Sequence, residues 1–131
     1  MKARFYVEEA MKLRARIKGG VEVDAVNEVA VVTSQPAKVV RLRVSVGGVE
    51  VYAGLADGVI VATPTGSTGY AMSAHGPVVD PTLEAQLLVL LNPLNLGYRP
   101  LVASAAEEVE VRVERPGATV VVDGEVVGKL E

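Results

Sequence analysis

The residues best suited to chemistry run from Asp57 to Pro77, reading DGVIVATPTGSTGYAMSAHGP. An aliphatic run, Val59 to Ala62, gives way to Thr63-Pro64-Thr65-Gly66-Ser67-Thr68-Gly69-Tyr70, where hydroxyls and glycines replace branched side chains. Glycine lets a backbone approach a ligand closely, and free amides at the start of a helix attract polar groups. Gly66 and Gly69 supply that closeness, Thr65, Ser67 and Thr68 supply hydroxyls, and Tyr70 offers a flat face on which a base can stack. The chemistry this suits is the binding of a polar ligand. A Thr/Ser/Gly stretch between two elements is also ordinary turn chemistry, and the residue types alone leave both readings open.

Other constellations are weaker. Ser73, His75 and Asp80 are the residue types of a hydrolytic triad, but there is no Gly-x-Ser-x-Gly elbow to present the serine, and His75 reads as a loop residue. Gly124 to Leu130 imitates a phosphate loop but is one residue short and has Leu130 where a metal-binding hydroxyl is required. Arg41 and Arg43 read as a solvated strand face. The chain has no cysteine, which excludes disulfides, thiolate catalysis and Cys-based metal sites, and one histidine, His75, which excludes a His-rich site. A net charge of -3 gives no footprint for duplex nucleic acid. No apolar run approaches the roughly 20 residues of a membrane helix, and the first residues carry no signal-type apolar core. The expectation is a cytoplasmic protein without nucleic-acid or membrane partners.

These residues must be held by strands. Among 131 residues, half are hydrophobic, yet there is no Trp and one Phe, so the core is built from Val, Leu, Ile and Ala, which favours β structure. Met11 to Lys18 alternates apolar and basic residues with the period of a half-buried strand, and Val26 to Val32 reads as a more fully buried one. Val40 to Val46 and Val49 to Tyr52 flank Gly47-Gly48, a tight hairpin. Val59 to Ala62 is a short apolar strand. Ser67 or Thr68 is placed to cap a short helix through about Ala74, ending at His75-Gly76-Pro77. Pro81 to Ala85 suits one helical turn, and Leu87 to Leu91 is a strand or a buried helix. Val109 to Val113, Val120 to Val122 and Val126-Val127 follow as strands, with turns at Pro116-Gly117 and Asp123-Gly124. The expected fold is mainly β, an antiparallel β-sandwich with one or two short helices, in a single domain over residues 1–131.

Over its whole length the chain resembles the C-terminal, NAD-binding half of NAD kinases. DGVIVATPTGSTGY is similar to that family's long signature: Asp-Gly, an apolar strand, Thr-Pro-Thr-Gly-Ser-Thr-Ala-Tyr, then a serine three residues later, here Ser73. Asn27-Glu28 matches the family's Asn-Glu or Asn-Asp pair, and Arg99-Pro100-Leu101-Val102 and Asp123-Gly124 fall in its order. The resemblance implies that Asn27 and Glu28 contact the adenosine part of NAD or NADP, and that Thr68, Gly69 and Ser73 line the adenine site with Tyr70 beside the nucleotide. It implies that Thr65 and Ser67 shape the loop, and that Asp57 reaches a ligand held partly by a neighbouring subunit of a homo-oligomer.

It also implies a missing part. The family's Gly-Gly-Asp-Gly-Thr motif, carried in an N-terminal α/β catalytic domain, does not occur here. Phosphoryl transfer needs groups that position and neutralise the donor phosphates, so the chain is expected to bind rather than catalyse. ATP, a divalent metal such as Mg and transfer to the ribose 2'-hydroxyl of NAD belong to the complete enzyme, whose kinase domain could also be a separate partner. No catalytic or metal-ligating residue is assigned to this chain. A free-standing β-sandwich oligomerisation or dinucleotide-sensing module without kinase activity is the alternative. Three positions depart from the family pattern: Gly69 for Ala, His75 for Gly, and Leu55 for a common basic residue.

Overall fold

The computed structural model describes residues 9–114 and 117–130. The described residues form a mainly β fold of eleven strands: β1 Leu13–Ile17, β2 Val21–Ala25, β3 Glu28–Thr33, β4 Val40–Val46, β5 Val49–Ala56, β6 Gly58–Ala62, β7 Ala85–Leu91, β8 Leu101–Ser104, β9 Val109–Val113, β10 Ala118–Val122 and β11 Glu125–Leu130. Between β6 and β7 lie a 3-10 turn, Thr65–Thr68, and one short helix, α1, Tyr70–Ser73. Every strand pairing is antiparallel, in a six-stranded sheet ordered β11-β10-β3-β6-β7-β8, a three-stranded sheet ordered β5-β4-β9 and the β1-β2 hairpin.

The alternation of side chains along each strand explains the layering. In the six-stranded sheet Val31, Val59, Val61, Leu88, Leu90, Val120 and Val122 point to one face, where they meet Val40, Leu42, Val44, Tyr52 and Ala56 of the three-stranded sheet. The β1-β2 hairpin adds Leu13, Ile17 and Val23 at the margin of the same core. The other face of the large sheet carries Ala30, Ile60, Ala62, Leu87 and Val89, covered by Ala71 of α1 and by Val79. β6 is therefore buried at all five positions, and β7 at six of seven. That double burial resolves Leu87–Leu91 as strand: a central strand covered on both faces reads as a continuous apolar run without period.

The Gly47-Gly48 hairpin joins β4 to β5 with both glycines at positive φ, 57° and 81°, the conformation a two-residue loop between twisted strands demands. Asp123-Gly124 does the same between β10 and β11, at 48° and 85°. The phosphate-loop imitation thus lies largely in β11, in extended backbone that cannot wrap a phosphate. Pro116 of the expected Pro116-Gly117 turn lies outside the described residues.

Two helical expectations are corrected. Ser67 and Thr68 do not cap a helix: both lie inside the 3-10 turn, and α1 begins after Gly69 with no side-chain cap. The Ser67 hydroxyl is instead engaged elsewhere, as described below. Pro81 to Ala85 forms no helical turn. The Asp80 carboxylate accepts from the Thr82 amide and hydroxyl, each at 2.8 Å, making a local turn, and Ala85 already pairs with Ser104 in the sheet. The alternating Val21–Ala25 and the four-residue Leu101–Ser104 are strands that periodicity alone did not single out.

Candidate functional site

β6 delivers the chain from Asp57 at one end to Thr63 at the other, and the pairing Glu28↔Ala62 sets the start of β3 beside the exit of β6. Backbone hydrogen bonding continues one step further, with the Thr63 amide donating to the Asn27 carbonyl at 2.9 Å. The Asn27-Glu28 pair and the Thr63–Ser73 segment, far apart in sequence, thus meet at one end of the large sheet.

The segment sorts its residues into framework and surface. Thr63 is fully buried; its hydroxyl donates to the Val26 carbonyl at 2.7 Å and accepts from the Gly66 amide at 2.9 Å. Gly66 packs directly on Asn27: a Cβ there would collide with the Asn27 carbonyl oxygen and lie 2.5 Å from its carbonyl carbon, so only glycine fits. Ser67 is fully buried. Its hydroxyl donates to the Pro64 carbonyl at 2.7 Å and accepts from the Val79 amide at 3.0 Å, tying the loop to the segment that covers the sheet. Thr65, Thr68, Gly69, Tyr70 and Ser73 remain on the surface.

Glu28 faces that surface from beneath. It is only 8% exposed, and burial pushes its carboxyl above the ordinary carboxylate range; the Tyr70 amide partly offsets this, and the nearby Asp123 charge adds to it. Gly69 lies beside this carboxylate: a Cβ there would sit 3.4 Å from Oε1. The family's usual alanine would therefore rest against Glu28, and glycine leaves that space open. Asn27 is exposed next to it.

Asp57 lies apart. Its backbone is fixed by the Thr33 amide donating to it and by its own amide donating to Leu91, each at 2.8 Å, and its carboxylate accepts from Asn92 Nδ2 at 2.9 Å. The five residues of β6 separate it from Thr63, six steps of strand rise or about 20 Å. The structure therefore brings together Asn27, Glu28, Thr65, Ser67, Thr68, Gly69, Tyr70 and Ser73, and sets Asp57 at the opposite end.

Two residues without an assigned site role complete the framework: Thr63 and Asp123. Asp123 accepts from the amides of Val26, Asn27 and Glu28 at 2.7, 2.8 and 3.0 Å. The Asp-Gly dipeptide was the available signal, and it signals a turn rather than a partner 95 residues away. Ser73, His75 and Asp80 form no hydrogen-bonded array among the described residues; Asp80 is committed to Thr82, and His75 sits at a φ of 69° where the chain leaves α1. Arg43 pairs with Glu50 and Glu114 on the exposed face of the small sheet. A cavity of about 970 Å³ between β1, β9 and the inner face of the large sheet is lined by none of the candidate residues. Among the described residues no three His, Cys, Asp or Glu side chains converge on a point that could hold a cation. Among them, too, no helix is long and apolar enough to cross a membrane.

A two-layer β fold whose central strand empties into a glycine-anchored hydroxyl loop over a buried glutamate defines a class, and the comparisons with known proteins agree on it. The family model of the ATP-NAD kinase C-terminal domain matches residues 26–130. An NAD kinase of Methanopyrus kandleri is 52% identical over 122 residues, covering 92% of this chain and 44% of that protein. One from Thermococcus gammatolerans is 44% identical over 124 residues, covering 92% and 45%. Among solved structures, a yeast NADH kinase complexed with NADH superposes with a TM-score of 0.83 at 26% identity, over 93% of this chain and 39% of that one. An Archaeoglobus fulgidus NAD kinase in complex with ATP does so with a TM-score of 0.76 at 47% identity, over 81% and 42%. The chain belongs to the ATP-NAD kinase family and corresponds to its C-terminal domain. It spans less than half the length of these relatives.

Proposed function

We propose that this chain is the dinucleotide-binding domain of an NAD kinase, and that NAD or NADP lies over the end of the large sheet where β3 begins and β6 ends. The observation that carries the reading is the meeting of Asn27 and Glu28 with the exposed face of Thr65–Ser73. A buried carboxylate beside open backbone is an acceptor for sugar hydroxyls, an exposed amide side chain suits a base edge, and Tyr70 suits a flat contact. Thr68, Gly69 and Ser73 complete the adenosine face, with Thr65 at its rim. Ser67, whose hydroxyl is committed within the fold, acts by holding the loop.

Asp57 cannot share that end of the ligand from within the same subunit, given the strand between them. Its distance supports a homo-oligomer in which a neighbouring copy brings Asp57 to the dinucleotide. In the complete enzyme, a further α/β domain, in the same polypeptide or as a separate partner, would bring ATP, a divalent metal such as Mg and the acid that acts on the 2'-hydroxyl. This chain then holds and orients the acceptor nucleotide and is inactive alone, in the cytoplasm where its substrates are.

Calorimetric titration of the 131-residue chain with NAD and with NADP tests the reading, and saturable heat with either is expected. Absence of binding to both contradicts it and favours an oligomerisation domain without ligand. An assay for NADP formation accompanies it: no turnover is expected, and sustained turnover by the pure chain would show that the catalytic groups lie within it.

A further inference from the structure

The Asp123-Gly124 turn does more than reverse the chain. For that purpose an Asn-Gly pair would serve equally, and the side chain would need no partner outside its own hairpin. Here the Asp123 carboxylate reaches the backbone leading into β3: Oδ2 accepts from the Val26 amide at 2.7 Å, and Oδ1 from the amides of Asn27 and Glu28 at 2.8 and 3.0 Å. The Asp123 amide in turn donates to the Glu28 carbonyl at 3.1 Å. In an extended strand successive amides point to opposite sides. Three consecutive amides can converge on one carboxylate only if the backbone curls around it, and Val26-Asn27 accordingly form the break between β2, which ends at Ala25, and β3, which begins at Glu28.

The curl is held from its other side by Thr63, whose amide and hydroxyl donate to the Asn27 carbonyl at 2.9 and 3.3 Å, and by Gly66 against the same peptide. The Asn27-Glu28 dipeptide is thus gripped at its amides by one residue and at a carbonyl by another, which sets the direction of its side chains. Charge-assisted bonds from an anion are about twice as strong as neutral ones, which is a reason for a carboxylate here rather than an amide. The arrangement carries an electrostatic cost, because Asp123 places a second negative charge near the buried Glu28.

We propose that Asp123 is a positioning residue for dinucleotide binding: its carboxylate fixes the curled backbone from Val26 to Glu28 so that the Asn27 and Glu28 side chains face the Thr68–Ser73 loop. This rests on the reading of the site given above. The substitution Asp123→Asn keeps one acceptor oxygen and the size of the side chain but removes the charge. Its affinity for NAD, measured by calorimetry well below the unfolding midpoints of both proteins, is expected to fall roughly tenfold or more, in keeping with loss of charged hydrogen bonds. In amide nitrogen-proton spectra the resonances of residues 26–28 move. The control Asp24→Asn, which removes an exposed carboxylate paired with Arg14, leaves affinity unchanged.

A role confined to stability predicts a lower midpoint for Asp123→Asn with wild-type affinity at low temperature, and that result overturns the proposal while leaving the site reading intact. A wild-type chain that binds no dinucleotide overturns both. Should Asp123→Asn fail to fold, the wild-type protein decides through couplings across hydrogen bonds from the amide nitrogens of residues 26–28 to the Asp123 carboxyl carbon. Their presence, with those amides responding as NAD is added, supports the role; their absence, or amides indifferent to NAD, overturns it.

Discussion

The two ends of β6 are both polar, but they are built differently. At its start, Asp57 is an intermediate-exposure carboxylate whose side-chain partner is Asn92. At its finish, Thr63, Gly66, Ser67 and Asp123 form a dense frame in which every buried hydroxyl has partners. The contrast shows that a signature is not a list of contact residues. The buried hydroxyls at the finishing end, those of Thr63 and Ser67, build the loop, and the exposed remainder is what a ligand can meet.

Perturbing the frame should have the largest effect. Gly66→Ala forces a methyl into the Asn27 peptide, and a clash with backbone has no flexible neighbour to yield. The expected loss is about 3 kcal/mol, read from the midpoint of urea unfolding, together with loss of dinucleotide binding. Thr63→Val keeps the shape but strips the Gly66 amide of its acceptor and two carbonyls of a donor. About 1–3 kcal/mol is expected by the same measurement.

Glu28 sharpens the comparison through pH. Its carboxyl is held above the ordinary range by burial, so the folded state binds that proton more tightly than the unfolded state. Its contribution to stability is full below the unfolded pKa and is lost as pH rises through the folded one. Asp123 runs the other way. Partial burial opposes its ionisation, but the amides of Val26, Asn27 and Glu28 outweigh this and hold its pKa low, so its contribution is lost as pH falls through the folded value. Glu28→Gln should therefore raise the thermal midpoint at neutral pH and remove the stability that the wild type gains on mild acidification, while weakening dinucleotide binding. A midpoint lowered at neutral pH would contradict this account of Glu28.

The smallest effect belongs to the other end. Asp57→Asn replaces a carboxylate whose side-chain contact is with Asn92, and stability should stay within about 0.5 kcal/mol. If a neighbouring copy uses Asp57, the affinity loss should appear in the oligomer and be absent in a dilute monomer, measured by calorimetry across the dissociation range.

What the sequence made legible follows the reach of each physical rule. Gly47-Gly48 and Asp123-Gly124 were readable as hairpins because positive φ is a local demand. The alternation in Met11 to Lys18 showed which side of β1 faces inward. Leu87–Leu91 stayed ambiguous because a strand covered on both faces loses its period. Ser67 misled because a hydroxyl before a helical stretch resembles a cap, while its real partner, the Val79 amide, lies 12 residues on. Asn27-Glu28 carried no chemical signal beyond the family pattern. The curl of its backbone is held by Thr63 and Asp123, 36 and 96 residues from Asn27, and no local rule spans those distances.

The central claim is that the ligand sits at the finishing end of β6. Titrating NAD into the nitrogen-15-labelled chain while following every amide resonance tests it most directly. Shifts concentrated at Asn27, Glu28 and Thr65 to Ser73, with the exposed face of Arg41, Arg43 and Glu114 unmoved, are the predicted result. Saturable shifts that instead cluster on that arginine-bearing face, or in the cavity beside β1, with residues 27–28 and 65–73 still, would contradict it.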